Sequence, residues 1–492
     1  MSLLLRVENA LQGAGELSVP HLVQARASGG VDGVAQTGLP PAVLAWLQGI
    51  LRERLHGDIV LEQMRPDVCT LALPGTDRRI LLRSDFNVFE RATGDLACGH
   101  WAPPERAWLP AGQERLPTPG LANPPRQLVT VDDQGCHLHY DVLGLAYWML
   151  SRKEEIGSGM LDCNGRYPAV ASHAWRHGYL DRPIVDEWFE LLRGLMRSTW
   201  PGLRLRGQRP TMLLSHDVDT PARYGLISPW RLIGAMAIDL FRDRERDRAA
   251  LRRAPWIWAA SKRKLDPQDP FNSFDWIMDR AEEAGMRNAF YFICGHTDKR
   301  RDGHYFPEDP AIIDLMQRIH ARGHEIGLHP SYHTYRDPAA LRAEADRLRR
   351  TCAQAGIPLQ QVGARMHYLR WETPTTLHGL ESAGIAYDTT LGYADQPGFR
   401  CGTCHEYPAF DPVQCKALTL RIRPLIVMEC TVMRAPPARA RTDVASRLRH
   451  YMNACHRVNG CFTLLWHNTL LEHGHQRRLY ERVIRHHQEN KK

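Results

Sequence analysis

The stretch TMLLSHDVD at residues 211–219 has the apolar pattern of a buried β-strand and ends in two carboxylates. A second stretch of this kind, EIGLHPSYH at residues 325–333, ends in two histidines. In parallel α/β folds the functional side chains gather where the strands reach their carboxyl ends. The two stretches therefore predict strands of one parallel sheet whose ends share a site.

Strands and helices alternate around these two stretches from about residue 210 onward. Helices are predicted over residues 274–284, 310–322 and 338–355. Further strands are predicted over residues 288–294, 362–368, 385–391, 426–433 and 461–467. At least six strands separated by helical segments indicate a parallel α/β barrel or a doubly wound sheet.

The first part of the chain has a different pattern. Residues 1 to about 205 mix short segments with proline-rich connectors, and the clearest elements are a strand at 79–83 and helices at 141–152 and 185–196. No cluster of metal-ligand residues and no phosphate loop stands out there. We predict two domains: a smaller mixed α/β domain of unknown role over residues 1–205, and the larger α/β domain over residues 206–492.

Composition bounds the class of protein. A chain of 492 residues leaves room for two to four domains, and 43% hydrophobic with 24% charged residues excludes disordered and collagen-like chains. No apolar run approaches the roughly 20 residues of a membrane-spanning helix. The start at residues 1–6 lacks the pattern of a secretory signal, so a cytoplasmic protein is the expectation. Twelve cysteines in so long a chain favour reduced thiols over a disulfide scaffold.

The net charge of +8 is concentrated in one segment, residues 242–264, with nine basic and three acidic residues. The segment belongs to a predicted insertion near residues 231–266, between an apolar stretch and the pair Trp256 and Trp258. No nucleic-acid-binding module accompanies it, so no nucleic-acid partner is predicted. Basic residues beside tryptophans suit contact with an anionic membrane or a lipid-linked glycan, peripheral to the inner face of the membrane. The alternative is a solvated helical excursion.

The strand ends carry a metal-ligand pattern. Asp217 and Asp219 are two apart on a strand, so both side chains leave by the same face. His329 and His333 are four apart, which places both rings on one side if a helical turn starts there. One carboxylate with two histidines matches a catalytic zinc centre, at which a second carboxylate can accept a proton from water.

Two later strand ends add an arginine and a histidine. Arg365 could keep one of the aspartates ionised, and His467 could protonate a leaving amine. Each residue also has a structural alternative: a turn or helix cap for the aspartates, packing for the histidines, an ion pair for Arg365. Their joint placement on separate strand ends favours the site.

These motifs resemble the NodB-homology polysaccharide deacetylase family, carbohydrate esterase family four, over roughly residues 208–470. The resemblance implies a distorted (β/α)7 barrel, with Asp217 as the base and Asp219, His329 and His333 as metal ligands. The family has adjacent aspartates, whereas here Val218 separates them, so the reversed assignment of the two aspartates stays open. Zinc is the favoured metal, with other divalent ions open.

The resemblance extends to two later motifs. The family's Arg-x-Pro-Tyr motif matches residues 365–368, with His367 in place of proline, and implies that Arg365 orients the base while the Tyr368 N–H binds the oxyanion. The family's Leu-x-His motif makes His467 the catalytic acid. Its Asp-Trp motif has only a loose match at Asp388, with no tryptophan beside it.

Residues 387–404 and 141–152 together resemble a subgroup in which an uncharacterised α/β domain precedes the deacetylase barrel, near surface-polysaccharide genes. The loop at 392–400 suits contact with a sugar or service as a lid. Cys401 and Cys404, with His405 and Cys415 nearby, could hold a structural zinc or be buried thiols.

The predicted function is metal-dependent removal of an N-acetyl group from an amino sugar, in surface-polysaccharide or glycan-precursor metabolism. One alternative keeps the metal site but cleaves O-acetyl esters or non-sugar amides. Another is a catalytically lapsed glycan-binding module. The sequence does not indicate an oligomeric state, and the first half could bind a partner or a glycan.

Overall fold

A computed structural model describes residues 38–91, 94–103, 113–242, 248–434 and 443–489. The expectation drawn from residues 1–6, and the part of the basic segment at residues 243–247, lie outside the described residues. In the described chain the fold is mixed α/β, with a large parallel sheet and a smaller N-terminal mixed sheet.

The first half builds the smaller sheet. In chain order its elements are α1 (Pro41–Arg54), β1 (Val60–Arg65), β2 (Val68–Ala72), β3 (Arg79–Arg83), α2 (Phe86–Phe89), β4 (Cys98–Trp101), β5 (Leu116–Pro119), β6 (Val129–Asp132), β7 (Gly135–Leu138), α3 (Val142–Leu150), α4 (His173–Arg176) and α5 (Ile184–Thr199). The strand order is β1-β2-β3-β7-β6, in which only the β3–β7 pair is parallel, while β4 and β5 form a separate pair.

Helix α3 shows why the sequence folds locally as it does. The Asp141 carboxylate caps its first turn by accepting a hydrogen bond from the Gly144 N–H at 2.7 Å. A Cβ atom at Gly144 would lie 2.4 Å from that carboxylate and 2.4 Å from the Phe89 ring, so the close approach requires glycine. The helix is buried along its whole length, which explains its unbroken apolar sequence.

The second half builds the large sheet and the helices around it. Its elements are β8 (Thr211–Val218), α6 (Pro229–Arg242), α7 (Arg248–Ala260), α8 (Phe274–Glu283), β9 (Asn288–Ile293), α9 (Pro310–Ala321), β10 (Glu325–His329), α10 (Pro338–Gln354), β11 (Gly363–Ala364), α11 (Thr375–Ser382), β12 (Tyr387–Asp388), β13 (Tyr407–Asp411), β14 (Lys416–Ile422), β15 (Val427–Met428), α12 (Glu429–Met433), α13 (Val444–Arg457), β16 (Cys461–Leu465) and α14 (Gly474–Glu489).

The described strands of this sheet are ordered β13-β14-β12-β11-β10-β9-β8-β16-β15. All pairs are parallel except β13–β14. The central strands match their predicted ranges, and every residue of β9 is buried, as in a strand covered on both faces. Three predicted strands are far shorter in the structure: β11, β12 and β15 have two residues each, and the chain beyond β15 turns directly into α12.

The two halves share one continuous hydrophobic core. Helix α1 packs on the hairpin β13–β14, where the Trp46 indole N–H donates to the Pro408 carbonyl at 2.8 Å. A buried ion pair of 2.6 Å joins Arg54 of α1 to Asp186 of α5, and both side chains are hydrogen-bonded to Thr403 of the second half. The halves are therefore held together by buried apolar and polar contacts rather than by a flexible linker.

The two segments of the subgroup resemblance meet in this interface. Arg400 forms a double ion pair with Glu155 at 2.8 Å, and the Arg152 guanidinium donates to the Arg400 carbonyl. Tyr393, Phe399 and Arg400 are buried, so the aromatic and arginine side chains on which the expectation of sugar contact rested pack inside the protein. The loop instead anchors the large sheet to the first half.

Among the described residues, no helix is both long enough and apolar enough to cross a membrane.

Candidate active site

The predicted strand ends do meet at one edge of the large sheet. Strands β8, β10, β11 and β16 are parallel, so the residues just beyond them emerge on the same side. At this edge Asp219 Oδ1 lies 3.2 Å from His329 Nε2 and 3.7 Å from His367 Nε2. These three potential ligand atoms all lie within 4.8 Å of one another.

The predicted partner His333 lies outside this group. Its side chain is 56% exposed, and its Nε2 is 3.7 Å from Asp298. The expected helical turn does not form after His329, because residues 330–331 are neither helix nor strand and a short 3₁₀ segment begins only at Thr334. The four-residue spacing therefore does not place both rings on one side, and the structure brings His367 to Asp219 instead.

Outer hydrogen bonds orient both rings of the cluster. His329 Nδ1 lies 2.5 Å from the Arg365 carbonyl, and His367 Nδ1 lies 2.8 Å from the Asp302 carboxylate. Nδ1 is therefore the donor in each ring, so that Nε2 faces Asp219 and offers a lone pair to a cation whenever the ring is neutral. Metal-binding histidines are commonly held in this way.

Asp219 fits a cation on two counts. Its Oδ1 is buried and accepts no well-formed hydrogen bond from any described residue, which is costly unless a cation occupies the space in front of it. Burial acts to raise the pKa of this carboxyl, but the facing rings of His367, His329 and His467 outweigh that effect and lower the pKa. One carboxylate oxygen and two imidazole nitrogens suit zinc and related divalent metals.

Asp217 stands beside the cluster, as its position in the strand predicts. Its Oδ1 accepts a hydrogen bond from Arg365 Nη1 at 2.8 Å, and its Oδ2 lies 3.8 Å from His329 Nε2. Arg365 is itself buried and donates to Ser215 Oγ at 2.8 Å and to the Thr389 carbonyl at 3.2 Å. The charged guanidinium is thus fixed on three sides and donates a charge-assisted hydrogen bond to Asp217.

His467 faces the cluster from the end of β16. Its Nε2 lies 3.7 Å from Asp219 Oδ2, and its Nδ1 lies 2.6 Å from Glu429 Oε1. Burial opposes the charged imidazolium, yet Glu429 first, and Asp219 and Asp217 with it, raise the pKa of His467 to about 10. A dication in the cluster would shift this pKa back toward neutrality, because like charges repel.

Glu429 is a site residue that sequence reasoning missed. The motif resemblance pointed to Asp388, but the Asp388 carboxylate accepts hydrogen bonds from the backbone N–H and hydroxyl of Thr390. Burial raises the pKa of Asp388 to about 7, so it serves the turn after β12 rather than His467. The strand predicted over 426–433 placed Glu429 inside a strand, whereas it begins a helix directly after β15. The only sign of Glu429 in the sequence was an acidic residue at the carboxyl end of a predicted strand.

Tyr368 stands where the motif places it, with left-handed backbone angles of φ 61° and ψ 13°. Its carbonyl accepts a hydrogen bond of 2.9 Å from Arg166, a residue of the first half, and Asp162 holds that guanidinium at 2.7 Å. Nearby, the Tyr332 hydroxyl donates to Asn164 Oδ1 at 3.0 Å. Residues 162–166, which showed no functional signal in the sequence, therefore form part of the rim of the site.

The second cysteine-containing group lies in the interface between the halves. Cys404, His405 and Asp186 have ligand atoms within 4.8 Å of one another, while Cys401 and Cys415 are not part of this group. The Asp186 carboxylate already accepts hydrogen bonds from Arg54 and Thr403, both at 2.6 Å, and from the Cys404 N–H at 2.8 Å. Burial raises the pKa of the Cys404 thiol well above its usual range. A buried thiol beside a satisfied ion pair accounts for this group better than a zinc site.

Comparisons with known proteins give three findings. The model of a family of unknown function, DUF7033, matches residues 94–201. No curated protein matches the chain. Among solved structures the chain is distantly similar to a putative polysaccharide deacetylase from Mycobacterium smegmatis, with 18% identity over 57% of this chain and 85% of that one and a TM-score of 0.35.

Two further solved structures are similar at the same distance. PuuE allantoinase has 13% identity over 58% of this chain and 85% of its own, with a TM-score of 0.33. A probable polysaccharide deacetylase from Pseudomonas aeruginosa PAO1 has 14% identity over 58% of this chain and 86% of its own, with a TM-score of 0.32. At these values the similarity carries no argument about chemistry, which has to come from the site itself.

Proposed function

We propose that this chain is a divalent-metal hydrolase that removes an N-acetyl group from an amino sugar. The proposal rests on the groups that surround the buried Asp219 Oδ1, an atom without a well-formed hydrogen bond. Two oriented histidine rings face it. A carboxylate held by an arginine lies on one side, and a histidine held by a glutamate lies on the other. A base and an acid flanking one cation site are the components of amide hydrolysis.

The proposed metal ligands are Asp219, His329 and His367. A divalent metal, when bound, supplies Lewis-acid polarisation of a carbonyl and acidifies water. Zinc is the proposed ion because of the two imidazoles, and other divalent ions are alternatives. His367 stands in the motif position where the family resemblance expects proline, and it replaces His333 in the ligand set proposed here.

The chain's own residues supply the proton transfers. Asp217, oriented by its hydrogen bond from Arg365, accepts the proton lost by the water that attacks the amide carbonyl carbon. His467 donates a proton to the departing nitrogen as the C–N bond breaks, giving acetate and the free amine. The Tyr368 N–H is proposed to donate to the developing oxyanion, while Arg166 holds the next peptide unit through the Tyr368 carbonyl.

The finer description of the fold is also a proposal. Strands β8–β12, β15 and β16 number seven, the count in the distorted (β/α)7 barrel, with the hairpin β13–β14 as an addition. Two hydrogen bonds link the segment after β12 to the residues just before β15. The Leu425 N–H donates to the Leu391 carbonyl, and the Gly398 N–H donates to the Ile426 carbonyl. This bridging supports closure of the seven strands.

The test compares metal content and acetate release of the wild type with His367→Ala and His333→Ala. We expect about one metal per chain in the wild type and in His333→Ala, and none in His367→Ala. The substrates are N-acetylglucosamine oligomers, nucleotide-linked N-acetyl sugars and O-acetylated sugars. Asp217→Asn should keep the metal and lose acetate release at least about 100-fold.

Each other outcome has a definite meaning. Metal retained by His367→Ala but lost by His333→Ala would overturn the ligand set. Release only from O-acetylated sugars would identify an esterase with the same site. A metal-free wild type without acetate release would contradict the hydrolase proposal and favour a glycan-binding module.

A further inference from the structure

Helices α6 and α7 form a hairpin that presents apolar side chains outward. Leu232 and Ala235 of α6 pack against Ala254 and Ile257 of α7 in a small separate core. The large apolar residues on the outside are Trp230 (82% exposed), Ile233 (58%), Leu240 (65%), Phe241 (83%) and Trp256 (72%). Single exposed apolar residues are common in proteins, but a group of this size on one small element marks a binding surface.

Helix α6 has the opposite polarity to an ordinary surface helix, with its acidic residue facing inward and large apolar residues facing outward. Its acid, Asp239, faces inward, where it forms an ion pair of 2.5 Å with Arg223 and accepts a hydrogen bond of 2.8 Å from the Tyr224 hydroxyl. The exposed positions 230, 233, 237 and 240–241 follow helical spacing and are apolar, while the exposed Arg231 contacts His304. The face turned away from the protein is therefore the apolar one.

Cationic side chains border this apolar face. Arg253 is exposed three residues before Trp256, so the two lie on the same side of α7. Lys262, Arg263 and Lys264 come after the helix and are exposed. The Lys262 ammonium lies 5.0 Å from the centre of the Trp258 ring. Tryptophans with flanking lysines and arginines are typical of helices that lie in the headgroup region of an anionic bilayer.

We propose that the α6–α7 hairpin docks on an anionic lipid bilayer. The exposed apolar side chains enter the boundary between headgroups and acyl chains, and the flanking cations contact lipid phosphates. A second copy of the chain is a poorer occupant, because a two-fold contact through this surface would bring the cations of both copies into one interface, where like charges repel. The hairpin follows β8 in the chain, the strand that leads into Asp219 of the candidate site.

The inference is independent of the proposed reaction and is tested without a substrate. The full chain is mixed with vesicles of phosphatidylcholine alone or with about 30% phosphatidylglycerol, and bound protein is measured by co-sedimentation at low and high salt. We expect binding to the anionic vesicles only, weakened by salt because the Debye length shrinks.

Two variants locate the contact, and a third is the control. Phe241→Ser with Trp256→Ser should weaken binding at least about tenfold by removing apolar insertion. Arg263→Glu with Lys264→Glu should weaken it similarly and flatten the salt dependence. Val131→Ser, at a 57% exposed valine of the N-terminal sheet, should bind as the wild type does. Melting temperatures check that all variants are folded.

Three results would overturn the proposal. The first is a wild type that binds neither kind of vesicle, and the second is undiminished binding by the Phe241→Ser/Trp256→Ser variant. The third is a concentration-dependent dimer that this variant abolishes, which would make the surface a contact between copies.

Discussion

At the scale of single residues, the Glu429 carboxylate raises the pKa of the His467 ring. The carboxylate lies 2.6 Å from Nδ1, is buried and carries the charge that most raises the pKa of the ring. A histidine that serves as an acid has to be protonated, so its activity is lost as the pH rises through its pKa. Glu429 therefore extends the acid function of His467 to higher pH.

Glu429→Gln keeps a hydrogen-bonding oxygen and removes the charge. We expect the pKa of His467 to fall, so the alkaline limb of the acetate-release profile moves to lower pH by about one unit or more, equivalent to about 1.4 kcal/mol per unit. At pH values above the wild-type limb the rate should fall about tenfold for each unit by which the limb moves. Rates measured from pH 5 to 10 check both expectations.

Asp388→Asn is the matched control, since Asp388 is the buried acid to which the motif resemblance points. Its contacts are with Thr390, so the alkaline limb should stay in place. A limb that moves in Asp388→Asn and stays fixed in Glu429→Gln would contradict the assignment.

At the scale of elements, the site depends on the turn or helix into which each strand leads. The ranges predicted for β8, β9 and β10 agree with the structure, because long apolar runs ending at polar residues mark buried parallel strands clearly. Predicted strands over 362–368 and 426–433 were too long, because apolar residues continue into tight turns and a short helix. These over-long strands concealed the roles of His367 and Glu429.

The segment at residues 162–166 is an element-scale contribution from the first half. Arg166 connects the Asp162 carboxylate to the Tyr368 carbonyl, and it thereby supports the left-handed backbone conformation of Tyr368. Positive φ at a tyrosine is uncommon and needs support from its surroundings.

Arg166→Gln should therefore lower the rate of acetate release about tenfold, because the Tyr368 N–H loses its fixed position. Metal content should be unchanged, and stability should change by less than about 1 kcal/mol, since the Arg166–Asp162 pair is partly exposed. Arg336→Gln, which removes an exposed pair with Glu372, is the control and should leave the rate unaltered. Equal effects of the two variants would argue against a role for Arg166 at Tyr368.

At the scale of the whole molecule, the two halves form one core and should unfold together. The Arg54–Asp186 pair is almost fully buried, and Arg54 also donates to Thr403 of the second half at 2.9 Å. Removing one partner of a buried pair leaves an unpaired charge in an apolar surrounding, which costs about 3–5 kcal/mol.

Arg54→Ala should therefore lower the free energy of unfolding by about 3–5 kcal/mol without separating the halves. Urea unfolding followed by circular dichroism and by tryptophan fluorescence should give coincident midpoints in the wild type. Arg65→Ala, which removes an exposed pair with Asp67, should change stability by less than about 0.5 kcal/mol. Two separate transitions in the wild type would show that the halves unfold independently.

The sequence by itself determined that a parallel sheet occupies the second half and that Asp217, Asp219, His329, Arg365 and His467 gather at its carboxyl edge. That was possible because strand polarity and apolar patterning are local properties, and parallel strands expose their ends on one side. It also indicated the apolar and basic character of residues 231–266.

Only the tertiary structure decided which histidine completes the cluster and which acid supports His467. Ring direction depends on the path of the chain after each strand: the segment after β10 leaves His333 exposed, while the segment after β11 directs His367 to Asp219. The contribution of Arg166 to Tyr368 spans 202 residues of chain, and no local pattern encodes a contact made by packing two halves together.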